Sequence, residues 1–210
     1  MIRILVADDH PIVRQGLKQI IADNPDMVVV TEATDGQEVL NHVWKDEFDV
    51  VLLDISMPVM NGLDILKQLK SQKPRLAVLL LSVHPEEQYA LRALKAGAAG
   101  YVTKDKAPEE LISAIRAVAS GKKYISPSLA QTLASTAGVA ATGPLHQTLS
   151  DREYSVLRLI AAGRTKIKIA EELSVSPKTV STYRSRLLKK MGLKTDAEIV
   201  RYAIENRLLG

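Results

Sequence analysis

Five short, branched apolar runs recur through residues 1–120: Ile2–Ala7, Met27–Thr31, Val50–Leu53, Ala77–Leu81 and Gly100–Val102. Each is too short to be a buried helix and reads as a strand. Helix-like stretches of about 10–13 residues lie between them. Leu111, Ile115 and Val118 keep the i, i+4, i+7 spacing of an amphipathic helix. Pro11 and Pro108 stand where helices would begin, and Glu109 and Glu110 favour the positive end of the second. Five such alternations predict an α/β unit, a parallel sheet covered by helices on both faces. The expected architecture is a flavodoxin-like (βα)5 domain with strand order 2-1-3-4-5, followed by an all-α domain.

The pattern changes after residue 121. The stretch 122–148 is rich in Gly, Ala, Ser, Thr and Pro. It is expected to hold a short helix over Ser128–Ser135 and then a flexible linker over Thr136–Gln147. Residues 149–210 read as four helices. Ser150 with Glu153 forms a capping box, and Gly163 ends the first helix. A short helix follows over Lys166–Leu173. Another starts at Pro177, runs to Met191 and stops at Gly192. The last runs from about Asp196 to Arg207. The expected domains are therefore 1–121, a linker at 122–148, and 149–210.

Charge follows the same division. The chain carries a formal net charge of +4. Residues 1–148 hold 15 Lys and Arg against 17 Asp and Glu, whereas residues 149–210 hold 13 against 7. An acidic front and a basic back suit different partners, the back attracting polyanions or simply being well solvated. Cysteine is absent, which excludes disulfides and thiolate metal sites. No apolar run approaches the roughly 18 residues of a membrane span, and Asp8 and Asp9 arrive too early for a secretory signal. The expected location is the cytoplasm.

In an open parallel sheet, ligands collect at the carboxyl ends of strands where strand order reverses. Asp8 and Asp9 end the first predicted strand and Asp54 the third. If the sheet takes the order 2-1-3-4-5, these strands are neighbours and three carboxylates converge. They repel one another unless protonated or joined by a cation, and an all-oxygen set suits Mg²⁺. Ser82 ends the fourth strand with a hydroxyl, and Lys104 follows the fifth with an ammonium. Such a set fits a phosphoryl group carried on a carboxylate. Singly, each residue has a plainer role. Asp8 or Asp9 can cap the helix near Pro11, and Asp54 can brace the turn before Met57–Pro58. Ser82 can cap the helix near Pro85, and Lys104 can be a surface charge. His10 reads as a loop residue, since Mg²⁺ prefers oxygen.

In the helix Pro177–Met191, Val180, Tyr183, Leu187 and Met191 cluster as a core face. Lys178, Ser181, Thr182, Ser185, Arg186 and Lys189 point away. This small, polar, basic face fits a DNA major groove, with the preceding short helix across the backbone, or it is an ordinary solvated face. Aromatic residues are 4% of the chain, which disfavours a base-stacking RNA platform. In the last helix Ile199, Val200, Ala203 and Ile204 form an apolar arc, either a dimer face or core.

Together, ADDHPIV, VVLLDISMPVMNGLD, LLLSVH and AGAAGYVTKD resemble the receiver domain of two-component response regulators over residues 1–120. Residues Leu149 to Leu193 resemble the LuxR-type helix-turn-helix of NarL/FixJ-type regulators. The resemblance implies that Asp54 is the phosphoacceptor and Asp8 and Asp9 the metal acids. Asp9, Asp54 and the backbone carbonyl of Ser56 would ligate Mg²⁺. It further implies that Ser82 and Tyr101 switch together and that Lys104 binds phosphate. Ser181, Thr182 and Ser185 fall at base-facing positions, Lys178 and Thr179 near the helix start, and Lys166 near a phosphate-contacting helix. Two departures stand out. Asp105 occupies a place where many receivers have Pro, and Lys166, Ile167 and Lys168 replace the usual Asn-Lys-acid run. The implied partners are a sensor histidine kinase, double-stranded DNA and, on phosphorylation, a second copy of the chain. The expected function is phosphorylation-dependent DNA-binding transcriptional regulation, not enzymatic turnover. The alternatives are a phosphohydrolase with an aspartyl-phosphate intermediate and a phosphorylation-independent DNA-binding dimer.

Overall fold

Strands β1 (Ile2–Ala7), β2 (Met27–Ala33), β3 (Val50–Asp54), β4 (Ala77–Ser82) and β5 (Gly100–Thr103) form one parallel sheet in the order β2-β1-β3-β4-β5. Between and after them run α1 (Pro11–Ala22), α2 (Gly36–Lys45), α3 (Gly62–Gln72), α4 (Glu86–Lys95) and α5 (Pro108–Ala119). Helix α6 (Pro127–Thr136) follows. A 3-10 turn at Leu145–Thr148 precedes α7 (Asp151–Ala161), α8 (Lys166–Glu172), α9 (Pro177–Met191) and α10 (Asp196–Glu205). This computed structural model describes every residue except 58–59, 84, 107, 137–143, 207 and 210. The chain divides into two compact units, Met1–Gln131 and Thr132–Gly210. Among the described residues no helix is long and apolar enough to cross a membrane.

The alternation of side chains along a strand explains the layering. Ile4, Val6, Val50, Leu52, Leu79 and Leu81 are buried on one face with Leu17 and Ile21 of α1 and Leu111, Ile115 and Val118 of α5. Leu5, Val51, Leu53 and Leu80 alternate with them and are equally buried. Right-handed crossovers leave that second face to α2, α3 and α4. All five residues of β3 are buried, as a central strand covered on both sides requires.

Helix ends are set by local chemistry. Asp35 caps α2 by accepting from Gln37 N–H at 2.8 Å and Glu38 N–H at 2.9 Å. Ser150 and Thr195 each form a capping box, with Glu153 and Glu198 respectively. Gly192 ends α9 at φ 66°, a left-handed position that glycine adopts without steric cost.

Several boundaries differ from the sequence expectation. β2 continues through Thr31 to Ala33, where it pairs with Leu5 to Ala7 of β1, and Glu32 there is ion-paired by Arg14 (3.2 Å) and Lys18 (2.6 Å). β3, β4 and β5 each extend by one polar residue: Asp54, Ser82 and Thr103. Helix α8 ends at Glu172, and α10 is helical to Glu205; its expected end at Arg207 lies outside the described residues. The linker expected over Thr136–Gln147 falls largely on residues 137–143, also outside them. Its end is not loose: His146 N–H donates to Tyr202 Oη at 3.2 Å, and the two rings meet edge on at 6.0 Å. The apolar arc of α10 is divided, with Ile199 and Ala203 in the core and Ile204 exposed.

Two glycines make opposite stability predictions. A Cβ on Gly62 would lie 2.3 Å from the Asp54 carbonyl oxygen and 2.8 Å from Ile55 Cα, both backbone atoms. Gly62→Ala should cost about 1–3 kcal/mol. Gly16, inside α1 with nothing near its missing Cβ, should gain up to about 1 kcal/mol as alanine. Thermal unfolding of the two variants against the parent reads both signs.

Candidate functional site

The carboxyl ends of β1, β3, β4 and β5 lie side by side along one edge of the sheet and bring polar residues together. Asp8 follows β1, and its N–H donates to Ala33 O at 3.1 Å. Arg14 of α1 reaches back to the Asp8 carbonyl at 2.7 Å. Asp8 is 0% exposed and Asp54 is 1% exposed. One Lys104 ammonium serves both: Nζ lies 2.6 Å from Asp8 Oδ2 and 3.0 Å from Asp54 Oδ2. The lysine backbone is fixed by its N–H, which donates to Ser82 O at 2.7 Å.

Burial pushes the Asp54 carboxyl above its ordinary value. The Lys104 ammonium opposes this and the Asp8 charge adds to it. Among the described residues, Asp54 Oδ1 has no hydrogen-bond partner. Donor atoms of Asp8, Asp9, His10 and Asp54 all lie within 4.8 Å of one another. Buried carboxylate oxygens so close together and short of donors fit a hard divalent cation. His10 joins the cluster, its Nδ1 2.8 Å from Asp9 Oδ1 and 3.3 Å from Asp8 Oδ1. His10 remains the turn residue before α1, with its side chain exposed.

The plainer roles for these residues are tested by the caps. The N-cap of α1 is His10, without a side-chain cap bond, and Asp8 Oδ1 accepts from His10 N–H itself at 2.9 Å. The N-cap of α4 is Pro85, not Ser82. Lys104 is 12% exposed and paired, not a surface charge. The turn beside Asp54 runs into residues 58–59, outside the described residues. Ser82 and Tyr101 are both fully buried. Ser82 pairs with Thr103 and Tyr101 with Leu80, so strand alternation puts Ser82 and Tyr101 on the same face. Ser56, the expected carbonyl ligand, lies two residues past Asp54 and is exposed. Arg14, which anchors the Asp8 loop, carried no sequence signal beyond a basic residue in a helix.

In the second unit, Val180, Leu187 and Met191 of α9 are buried and Tyr183 is half-buried. Leu188 joins that core. Lys178, Thr182, Ser185, Arg186 and Lys189 are exposed, as is Lys166 at the start of α8. Thr179 and Ser181 are half-buried. Thr179 Oγ1 lies 2.8 Å from the N-cap oxygen of Ser176. Ser181 and Thr182 donate to the carbonyls of Pro177 and Lys178, each at 3.1 Å. With those protons committed to the helix, both hydroxyls present acceptor lone pairs outward. Lys178, Thr182, Ser185 and Lys189, at i, i+4, i+7 and i+11, form one exposed stripe.

Comparison with known proteins agrees with both halves. Residues 4–116 match the response regulator receiver domain, and residues 147–203 match the bacterial regulatory proteins of the luxR family. The response regulator UvrY of Escherichia coli K12 is 37% identical over 209 residues, covering 99% of this chain and 96% of UvrY. The response regulator GacA of Pseudomonas aeruginosa is 37% identical over 211 residues, covering 100% of this chain and 98% of GacA. Among solved structures, RcsB of Salmonella enterica serovar Typhimurium is similar with a TM-score of 0.68 at 27% identity, over 96% of this chain and 97% of RcsB. That RcsB structure is bound to promoter rprA in the presence of the phosphomimetic BeF3−. The chain belongs to the two-component response regulators of the NarL/FixJ type, a receiver domain joined to a LuxR-type helix-turn-helix domain.

Proposed function

We propose that Asp54 accepts a phosphoryl group from a sensor histidine kinase, and that this controls DNA binding by α8 and α9. The observation that carries the reading is the buried Asp8–Lys104–Asp54 arrangement in the same chain as the exposed basic stripe of α9. In the transfer, an Asp54 carboxylate oxygen forms a bond to phosphorus as the donor's P–N bond breaks, and the donor imidazole keeps the electron pair. Asp9, Asp54 and the Ser56 carbonyl would hold Mg²⁺, with Asp8 alongside. When bound, Mg²⁺ supplies positive charge that offsets the phosphoryl oxygens. Lys104 moves from pairing a carboxylate to pairing a phosphoryl oxygen. The Ser82 hydroxyl donates to another, and Tyr101 occupies the inward position. Phosphorylation adds about −1.5 to −2 charges at one point, which is what draws Ser82 and Lys104.

Residues 1–121 serve as the receiver, 122–148 as the connection and 149–210 as the DNA-binding domain. Lys178, Thr182, Ser185, Arg186 and Lys189 face the duplex. Ser181 joins them with its acceptor oxygen, Thr179 lies at the start of the recognition helix beside the DNA, and Lys166 meets a phosphate. RcsB, bound to promoter DNA, provides the precedent for double-stranded DNA as ligand. With that ligand, the reading includes a homodimer on paired half-sites when Asp54 is phosphorylated, and a cytoplasmic location. Asp54 acts as an acceptor, with slow self-dephosphorylation at most. Neither the phosphohydrolase nor the unregulated dimer is favoured, because the relatives are response regulators along nearly their whole length.

Two outcomes are expected of Asp54→Asn. With a small-molecule phosphodonor and Mg²⁺, the parent takes up one acid-stable, base-labile phosphoryl group and the variant takes up none; labelling of the variant would place the acceptor elsewhere. In metal-free buffer the variant should also melt higher, by roughly 2–8 °C. A carboxyl raised by burial gives stability at low pH that is lost as pH rises through the raised value. The gain should therefore be present at pH 7 and shrink toward the ordinary carboxyl value of 3.8.

A further inference from the structure

One buried carboxylate takes no part in the chemistry above. Glu86, the first residue of α4, is 6% exposed. Its Oε2 accepts from two hydroxyls at the opening of α6: Ser126 Oγ, and Ser128 Oγ at 2.7 Å. Each serine has one hydroxyl proton, so the 3.0 Å approach between the two Oγ atoms is a contact of spent donors. Ser126 is also the residue that starts α6. Its Oγ accepts from Leu129 N–H at 3.1 Å, and its carbonyl from Ala130 N–H at 2.9 Å. Leu129 is buried beside it. Glu86 thus grips the cap of the helix that carries the chain from the first unit toward the second.

The same segment is tied at its upstream end. Tyr124 N–H donates to Ala99 O at 2.8 Å, next to the open edge of β5. Tyr124 Oη donates to Glu110 Oε1 of α5 at 2.9 Å. Residues 124–128 therefore run from the β5 edge to the first turn of α4. Three residues separate Glu86 from Ser82, the hydroxyl that must approach a phosphoryl group on Asp54.

We propose that Glu86 is a latch: it holds the cap of α6 against α4, and phosphorylation of Asp54 opens it by displacing Ser82 and the β4–α4 connection. The inference rests on the proposed function, which supplies the trigger. Two hydroxyls bonded to a single carboxylate oxygen tolerate little misalignment. A shift on the order of 1 Å takes a bond of this length out of range. Glu86 Oε1 is buried with no hydrogen-bond partner among the described residues, so the two serine bonds to Oε2 are the hydrogen bonds that compensate this carboxylate, and losing them leaves it to seek water. The output is the state of α6. Its N-terminal turn is docked on the receiver when Asp54 is bare and loosened when Asp54 is phosphorylated.

The test is amide hydrogen exchange at Leu129 and Ala130 in the full chain, with and without Mg²⁺ and the phosphomimetic BeF3−. Bound BeF3− is followed by its fluorine resonance. Protection should fall about tenfold or more on BeF3− binding, the equivalent of one charge-assisted hydrogen bond. Glu86→Ala and Ser128→Ala should lower protection without BeF3−. Ser128→Ala leaves α4 and the α6 cap in place, so its result does not depend on whether Glu86→Ala disturbs α4. Glu86→Gln keeps an acceptor and should retain most of the protection. Linkage adds a readout that a purely structural contact would not move: Glu86→Ala should bind BeF3− more tightly by the factor the latch opposes it. BeF3− binding with undiminished protection would overturn the latch and leave the proposed function standing. So would unchanged protection in both Ser128→Ala and Glu86→Ala. Failure of BeF3− to bind the parent would overturn the proposed function and the trigger with it.

Discussion

Asp8 and Asp54 sit out of water on neighbouring strands, and the Lys104 ammonium lies within ion-pair distance of both. Like charges at that separation in a desolvated site are costly, and one ammonium cannot satisfy two carboxylates. The parallel sheet pays this cost because its packing is supplied elsewhere, by the doubly covered apolar strands. Such an arrangement fits a further positive charge and, under the proposed function, a phosphoryl group on Asp54. Arg14, the β1–β2 pairing at Ala33 and the close fit of Gly62 against the Asp54 carbonyl all hold the carboxylates in this relation.

Reorganisation around a phosphoryl group must be worth a good deal to act as a switch. Moving a two-state equilibrium from 1:99 to 99:1 takes about 5.5 kcal/mol of differential stabilisation. Charge-assisted bonds from Lys104 and Ser82, each about twice as strong as a neutral one, are of the right size. Both residues are connected to helices that can carry the change. Lys104 N–H is bonded to Ser82 O, and Ser82 leads to α4 within three residues. At the far end, α9 offers hydroxyl acceptors and lysines on a frame already fixed by Ser176 and Gly192.

Much of this was legible in the sequence because it depends on periodicity and on strand ends. Branched apolar runs mark the five strands; those of β3 and β4 stop at Asp54 and Ser82, and Lys104 follows directly on Thr103 at the end of β5. The strand order, and hence the meeting of Asp8 with Asp54, is not written in any local pattern; it comes from the pairing of β1 with β3. Other features depend on contacts distant in sequence, which no local pattern carries. Glu86 reads as one more acid after a proline; its meaning comes from serines 40 and 42 residues away. Tyr202 holds His146 across 56 residues, so a stretch of linker composition ends as an ordered turn. The ring of His10, a residue of the turn into α1, lies against both acids because the chain turns directly into that helix.

The central claim is that these carboxylates form a divalent-cation site ready to carry phosphorus. Its most direct test is the Mg²⁺ dependence of thermal stability, measured for the parent and for Asp9→Asn. A ligand that binds the folded state raises the melting temperature with its concentration, by mass action. Millimolar Mg²⁺ should raise the melting temperature of the parent and leave that of Asp9→Asn nearly unchanged. Equal rises in both proteins, or none in the parent, would contradict the claim.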